Sequence, residues 1–360
     1  MNKCMNKGAA FALALLVGAA SCSKKAEAPI FPLSSCRHVD LIDAASGEVI
    51  SGAEDIAFDK KRMRLIVSAY NRRAVEQAAG AGAATLPNGG IYSVALDDLQ
   101  SGADYLKVAP LISPDLVRGG LRPHGIDFDA AADEVVFINR AYDREGRRWR
   151  MTPSIMRIAL DGALREDKDA PPCSANGVAV DGEDILVSFD HAACDWRAGV
   201  ENIFGEKKSG FVSEKTAKKF VGARFANGLA RLPSGEIALA ATREQSVLML
   251  EQQGKAYSVK KRMRTPGSPD NLSVDAAGRI IAALHPSLIS IALERKLGVG
   301  RSASRAVRID AETGEVDLLF DDPKAKFISA ATVAVEAGGD LVLGSVIDDG
   351  IVFCRGEAGE

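Results

Sequence analysis

The chain has 360 residues, 47% hydrophobic and 26% charged, with 34 Gly and 14 Pro. That composition is globular and excludes collagenous, coiled-coil and wholly disordered chains. With 45 basic against 48 acidic residues the formal charge is -3, and aromatics reach only 6%. There is therefore no electrostatic footprint for nucleic acid and no base-stacking surface.

The chain opens on Lys3 and Lys7, an apolar stretch from Gly8 to Ala20, and Ala19-Ala20-Ser21-Cys22. These are the three parts of an export signal, too short to span a membrane as a folded helix. A Cys directly after small residues resembles a bacterial lipoprotein cleavage box, the alternative being an ordinary cleaved signal. Residues 1–21 are expected to be a signal peptide, and 22–35 a lipidated Cys22 with its tether. Residues 36–360 form the folded domain, exported and held at the bacterial envelope by a lipid anchor. Six Cys are present. Cys4 leaves with the signal and Cys22 carries lipid, so Cys36, Cys173, Cys194 and Cys354 remain for two bridges in an oxidising compartment. Four Cys allow three pairings. The positions of Cys36 and Cys354 at the ends of the folded region favour a closing bridge, leaving Cys173 with Cys194.

One pattern then recurs. A short alternating segment, an acidic or Gly-containing turn and a continuous apolar segment begin at Asp55, Gly125, Gly177, Gly228, Asn271 and Thr332. Apolar spacing of two with turn residues between marks β-hairpins, not helices. Flanking segments such as Gly90–Leu96, Ile155–Leu160, Val247–Leu250 and Ala306–Asp310 supply further strands. Four strands per unit make a propeller blade, with about 53 residues per unit here. The expected fold is all-β, a six-bladed β-propeller closed by pairing and a disulfide between its N- and C-terminal strands. Insertions fall at 69–89, 140–153, 190–208 and 286–304, and chiefly 69–89, 140–153 and 190–208 are expected to roof the channel mouth. Within them, Ser287–Lys296 reads as a helix and the Arg-rich 144–150 as a solvated loop.

The residues heading the copies are Glu54, His124, Asn176, Asn227, Asp270 and Ala331. In a propeller these equivalent positions gather at one mouth of the channel. Asn271 follows Asp270 and adds a further oxygen. Two carboxylates and three amide oxygens are costly to bury together without a cation. Their charge matches a divalent ion, and oxygen-only ligation is the habit of Ca²⁺ rather than Zn²⁺. His124 heads an inner strand beside that cation, where a histidine suits a general base. His191 beside Asp190, and His285, follow second strands and are candidates for lining the substrate pocket.

Taken together, Gly52-Ala-Glu-Asp55, Pro123-His-Gly-Ile126, Asn176, Asp190-His191, Phe225-Ala-Asn-Gly228, Asp270-Asn-Leu-Ser-Val-Asp275 and His285-Pro286 resemble the serum paraoxonase and arylesterase family. The resemblance runs from about Cys36 to Cys354. It implies a six-bladed propeller closed by a disulfide between its end segments. It also implies a catalytic Ca²⁺ on Glu54, Asn176, Asn227, Asp270 and Asn271, with His124 at the position of the family's proposed catalytic His. The implied activity is hydrolysis of lactones and aryl esters by water attack on a Ca²⁺-polarised carbonyl. Two departures stand out. Arg140 occupies the position of a second family His, so the two-His relay is missing. Gly177 replaces a carboxylate of a second calcium site, leaving it only Asp55 and the backbone oxygen of Ile126, so it is expected to be weak or vacant. The alternatives are a non-catalytic propeller that binds a ligand or partner around a structural calcium, and a sugar lactonase.

Overall fold

The computed structural model describes residues 28–356 apart from 160, 161, 168 and 255. The signal segment, Cys22 and the start of the tether lie outside the described residues. Among the described residues no helix is long and apolar enough to cross a membrane.

The fold is all-β and propeller-like. Each sequence repeat forms an antiparallel hairpin. The first strands are Ala53–Asp59, Pro123–Asp129, Ala175–Asp181, Ala226–Arg231, Ser268–Val274 and Ala331–Ala337. Their partners are Arg64–Ala69, Glu134–Glu145, Asp184–Phe189, Ile237–Ala241, Ile280–His285 and Asp340–Ser345. Each first strand lies against the first strand of the next hairpin, and Ala331–Ala337 returns to Ala53–Asp59. Further strands extend the hairpins outward. Two of the resulting four-stranded groups join through the single parallel pair Lys219↔Ala256, giving one eight-stranded sheet.

The continuous apolar runs become second strands with neighbours on both faces. Ile237–Ala241, Ile280–His285 and Asp340–Ser345 are buried along their whole length. A strand covered on both sides loses the polar alternation of a half-exposed one. The core consists of layers between adjacent sheets, such as Ile56, Val67, Val333, Val342 and Phe353 in one of them.

The ends of the described chain meet. Cys36–Asp43 pairs antiparallel with Ile351–Cys354, with Cys36 opposite Cys354, and a disulfide joins the two. A link spanning 318 positions constrains the unfolded chain by about 6 kcal/mol in the entropy model. A second disulfide joins Cys173 to Cys194. Packing begins before Cys36. The Ile30 and Phe31 amides donate to Leu318 O and Leu319 O, and Phe31 is buried beside the terminal bridge.

Among the described residues four α-helices sit in the loops: α1 (Arg72–Gly80), α2 (Leu96–Gln100), α3 (Arg197–Phe204) and α4 (Leu288–Leu297). α4 lies where the sequence places it; Ser287 caps its start and Gly298, at φ 68°, ends it. α1 escapes the sequence reading because its Ala/Gly-rich end looks like a loop, yet Asn71 caps it through Ala74 N. The Arg-rich 144–150 is not a loop. Glu134–Glu145 pairs with Arg148–Ala159 up to Glu145↔Arg148, so only a tight turn remains. Trp149 fixes this long hairpin by donating from Nε1 to Ala83 O (3.0 Å), and Arg144 stacks on its ring. Arg73 of α1 donates to Arg295 O of α4 (3.2 Å), and Arg295 pairs with Glu76. The hairpin, α1 and α4 thus form one connected roof.

Candidate metal centre and active site

Every first strand slips register once, and all the slips but that of the last strand fall on the residue heading the copy. The slips lie between Ala53 and Asp55, Pro123 and Ile126, Ala175 and Val178, Ala226 and Leu229, Pro269 and Leu272, and Ala331 and Val333. A β-bulge re-aims the side chain of the unpaired residue. Here the unpaired residues include Glu54, His124, Asn176, Asn227, the pair Asp270–Asn271, and Thr332. Serines on second strands satisfy backbone groups freed by the slips. Ser68 Oγ donates to His124 O (2.6 Å), and Ser188 Oγ accepts from Gly177 N (2.7 Å).

Glycine makes the convergence possible. A Cβ on Gly125 would stand 2.4 Å from Asn176 O, and one on Gly228 would stand 2.6 Å from Asn271 Cα and 2.7 Å from Asp270 O. The neighbouring first strands touch there by bare backbone, which draws the preceding side chains toward one point. Gly228→Ala is accordingly expected to cost about 1–3 kcal/mol and to weaken metal binding, because the displaced backbone carries Asp270 and Asn271. Chemical denaturation and calcium titration of this variant check it; an unchanged midpoint would mean that the neck has room to spare.

The gathered groups are buried, from 1% exposed for His124 to 6% for Asn227 and Asp270. Asn227 Nδ2 donates to Asp270 Oδ1, and Asn271 Nδ2 donates to Glu54 O (3.0 Å). His285 Nε2 lies 2.6 Å from Asp270 Oδ2. His124 Nδ1 stands 3.1 Å from Glu54 Oε2, but the two are out of line for a hydrogen bond. Burial, and then the charge of Asp270, push the Glu54 carboxyl up to about 7. Burial, and then Arg140 and Arg72, hold His124 well below the usual imidazole range, so it is neutral at pH 7.

The amide nitrogens are used and the oxygens are not. Glu54 Oε2, Asn176 Oδ1, Asn227 Oδ1 and Asn271 Oδ1 are all buried with no hydrogen-bond partner among the described residues. Native proteins seldom leave such groups unsatisfied, and a cluster of them signals a missing ligand. Four orphaned oxygens beside Asp270 fit a hard cation, and the repulsion that raises Glu54 is what a divalent charge would relieve. No group of three or more His, Cys, Asp and Glu gathers at metal-binding spacing among the described residues. A site here depends on the amide oxygens.

The second site of the sequence reading looks different. Asp55 accepts Ile56 N (2.9 Å) and Ile126 N (3.0 Å). Its carboxyl is raised well above the ordinary range by burial and then by Glu54. Those backbone bonds fix the Asp55 carboxylate beside Ile126.

Asp190 and His191 adjoin the centre. Asp190 Oδ2 accepts Asn176 Nδ2 (3.3 Å), and its other oxygen contacts His191 Nδ1. Burial lowers the His191 pKa, but the Asp190 contact outweighs it and the net shift is upward. Sequence reasoning missed Thr332, whose Oγ1 donates to Glu54 O (2.7 Å), and Tyr70, whose ring meets His124 edge-on. The slip at Ala331/Val333 places Thr332, not Ala331, at the ring. The Asn-Gly and His-Gly dipeptides were the available signal for such slips. A cavity of about 670 Å³ is lined by Asp55, Ile126, Gly177, Gly228 and Asn271, with Lys60 and Arg279 also in its wall.

No protein-family model matches the sequence, and no curated protein matches it. The fold does have counterparts among solved structures. A luciferin-regenerating enzyme superposes with a TM-score of 0.52 at 12% identity, covering 86% of this chain and 95% of the other. A gluconolactonase from Xanthomonas campestris gives a TM-score of 0.52 at 13% identity, covering 85% and 89%. At these identities the likeness defines the fold, the propeller-like class already evident in the sheets.

Proposed function

We propose that the protein is a calcium-dependent hydrolase of lactones and aryl esters, on a six-bladed propeller closed at Cys36–Cys354 and exported as a lipoprotein through Cys22. One observation carries the reading: the unpartnered, buried oxygens of Glu54, Asn176, Asn227 and Asn271, which come from four separate first strands. The gluconolactonase among the similar folds agrees with lactone chemistry.

Glu54, Asn176, Asn227, Asp270 and Asn271 would hold the cation. A bound Ca²⁺ supplies Lewis-acid polarisation of the carbonyl and stabilises the developing oxyanion. His124, neutral and buried beside the ring, is placed to take the proton of an attacking water. His285 holds the Asp270 carboxylate in orientation through Nε2. Asp190 does the same for the Asn176 amide.

A second reading, a ligand-binding propeller with a structural calcium, is favoured by the cavity of about 670 Å³, whose wall takes in Asn271 alone of the ring residues. Turnover separates the two. Phenyl acetate and a panel of γ- and δ-lactones are expected to be hydrolysed with calcium and not after chelation. Calcium binding without turnover of any of them would leave the binding reading.

A further inference from the structure

The insertion at 190–208 adjoins the oxygen ring through Asp190, yet apolar packing does little to hold it there. Among the described residues no side chain of this segment belongs to a core cluster. Trp196 and Phe204 are 78% and 73% exposed. The contrast is α1, whose Val75 is fully buried in a cluster with Tyr70 and Leu86. α3 is tied by polar contacts instead, with Glu201 Oε2 accepting Ala192 N (2.9 Å) and Ala193 N (3.3 Å). The Cys173–Cys194 bridge comes just before it. A segment with few buried apolar contacts opens at low cost once its ties are cut.

That bridge closes the site end of one hairpin. Pairing of Ala175–Asp181 with Asp184–Phe189 ends at Ala175↔Phe189. Beyond that pair Asp190 N donates to Ser174 O (3.3 Å) and Ser174 Oγ donates to His191 O (2.5 Å). The disulfide from Cys173 to Cys194 follows. Together these ties set Asp190, whose Oδ2 accepts Asn176 Nδ2 (3.3 Å). Asn176 lies in the register slip, so this contact orients its amide and leaves Oδ1 for the ring. The two disulfides differ in access. Cys36 and Cys354 are buried in a core cluster, whereas Cys173 is half-buried and Cys194 exposed. Thiol–disulfide exchange needs a thiolate to reach sulfur, and exposed bridges are the labile ones.

We infer that Cys173–Cys194 is a redox-sensitive latch on the candidate metal centre: a dithiol opens it selectively, and opening frees the 190–208 insertion together with the Asp190 that orients Asn176. The consequence for calcium rests on the metal reading above; the release of the insertion does not. In the step, one thiolate of the dithiol attacks a bridge sulfur and the S–S bond breaks. The second thiol of the dithiol then displaces the mixed disulfide and closes the reductant's own ring. Two electrons and two protons pass to Cys173 and Cys194, which end as thiols. Cys36–Cys354 stays closed, so the sheets stay joined.

The test treats the purified protein with dithiothreitol, traps free thiols with iodoacetamide and reads them by peptide mass. Cys173 and Cys194 are expected to be labelled well before Cys36 and Cys354. On selective reduction the Ala192 and Ala193 amides should lose their protection from hydrogen exchange. Calcium affinity measured by calorimetry should fall by about 10–100-fold, the usual cost of losing a contact behind a metal ligand, and reoxidation should restore it. The double variant Cys173→Ser, Cys194→Ser should start with the weakened affinity, keep its circular dichroism and ignore dithiothreitol. Labelling of all four cysteines together would overturn the inference. So would selective reduction that leaves the exchange unchanged, or that leaves the affinity of a calcium-binding protein unchanged. Oxidised protein that binds no calcium would instead remove the metal reading, and the exchange at Ala192 and Ala193 would still decide whether the latch exists.

Discussion

Asp270→Ala is expected to abolish lactone turnover, by more than about 10⁴-fold, and calcium binding with it. Asp270 is one of two carboxylates in the ring, and it ties together three other groups. Asn227 Nδ2 donates to one of its oxygens, His285 lies against the other, and its charge raises the Glu54 pKa. Removing it deprives the centre of half its negative charge and frees Asn227 and His285 to turn away. His124→Gln is a smaller lesion. It removes a proton acceptor, a contribution usually worth about 10²–10⁴-fold, and leaves every oxygen of the ring in place. The ordering is therefore the test: Asp270→Ala below His124→Gln in turnover, with calcium retained only by the latter. Asp270→Asn keeps the shape and separates loss of charge from loss of folding. An active Asp270→Ala beside an inert His124→Ala would sink the calcium mechanism.

Calcium stabilisation is expected to grow as pH rises toward 7 and to level off above it. The Glu54 carboxyl, ordinarily near 4.5, sits at about 7 in the folded, metal-free protein because burial and Asp270 disfavour its charge. Below the unfolded value the group is protonated in both states and costs nothing. As pH rises through 7 the folded group must ionise against its surroundings, so stability from this carboxyl is progressively lost. The metal-free protein thus gains from acidification between about 7 and 4.5. Calcium acts in the opposite sense, because it binds the carboxylate and must expel the proton below pH 7. Its apparent affinity should fall by about tenfold per pH unit there, near 1.4 kcal/mol of stabilisation per unit at a fixed calcium level. Thermal melts with calcium and with chelator, taken at half-unit steps from pH 5 to 8, measure this directly. A calcium-induced shift in Tm that stays constant from pH 5.5 to 7 would show that Glu54 is not a ligand. Glu54→Gln should remove both trends.

Much of this was legible in the order of residues. Apolar spacing of two, interrupted at each turn, can only be satisfied by hairpins, and six copies of one hairpin ask for a cyclic arrangement. Because repeats fold alike, residues at one register must gather at one level, which is how Glu54, His124, Asn176, Asn227, Asp270 and Asn271 could be grouped from sequence. Local chemistry also wrote the α4 boundaries, with Ser287 and Gly298 as its caps. Other features have no local signature. Whether the grouped side chains face the channel depends on the register slips, and those are set by strands meeting at Gly125, Gly177 and Gly228. The same holds for the roof: Ala83, Trp149, Arg73 and Arg295 are scattered in sequence and meet only once the long hairpin, α1 and α4 have packed together. Periodicity is a property of neighbours along the chain and dictates strands. Burial, unpaired oxygens and net charge are properties of neighbours in space, and only the packed chain could decide them.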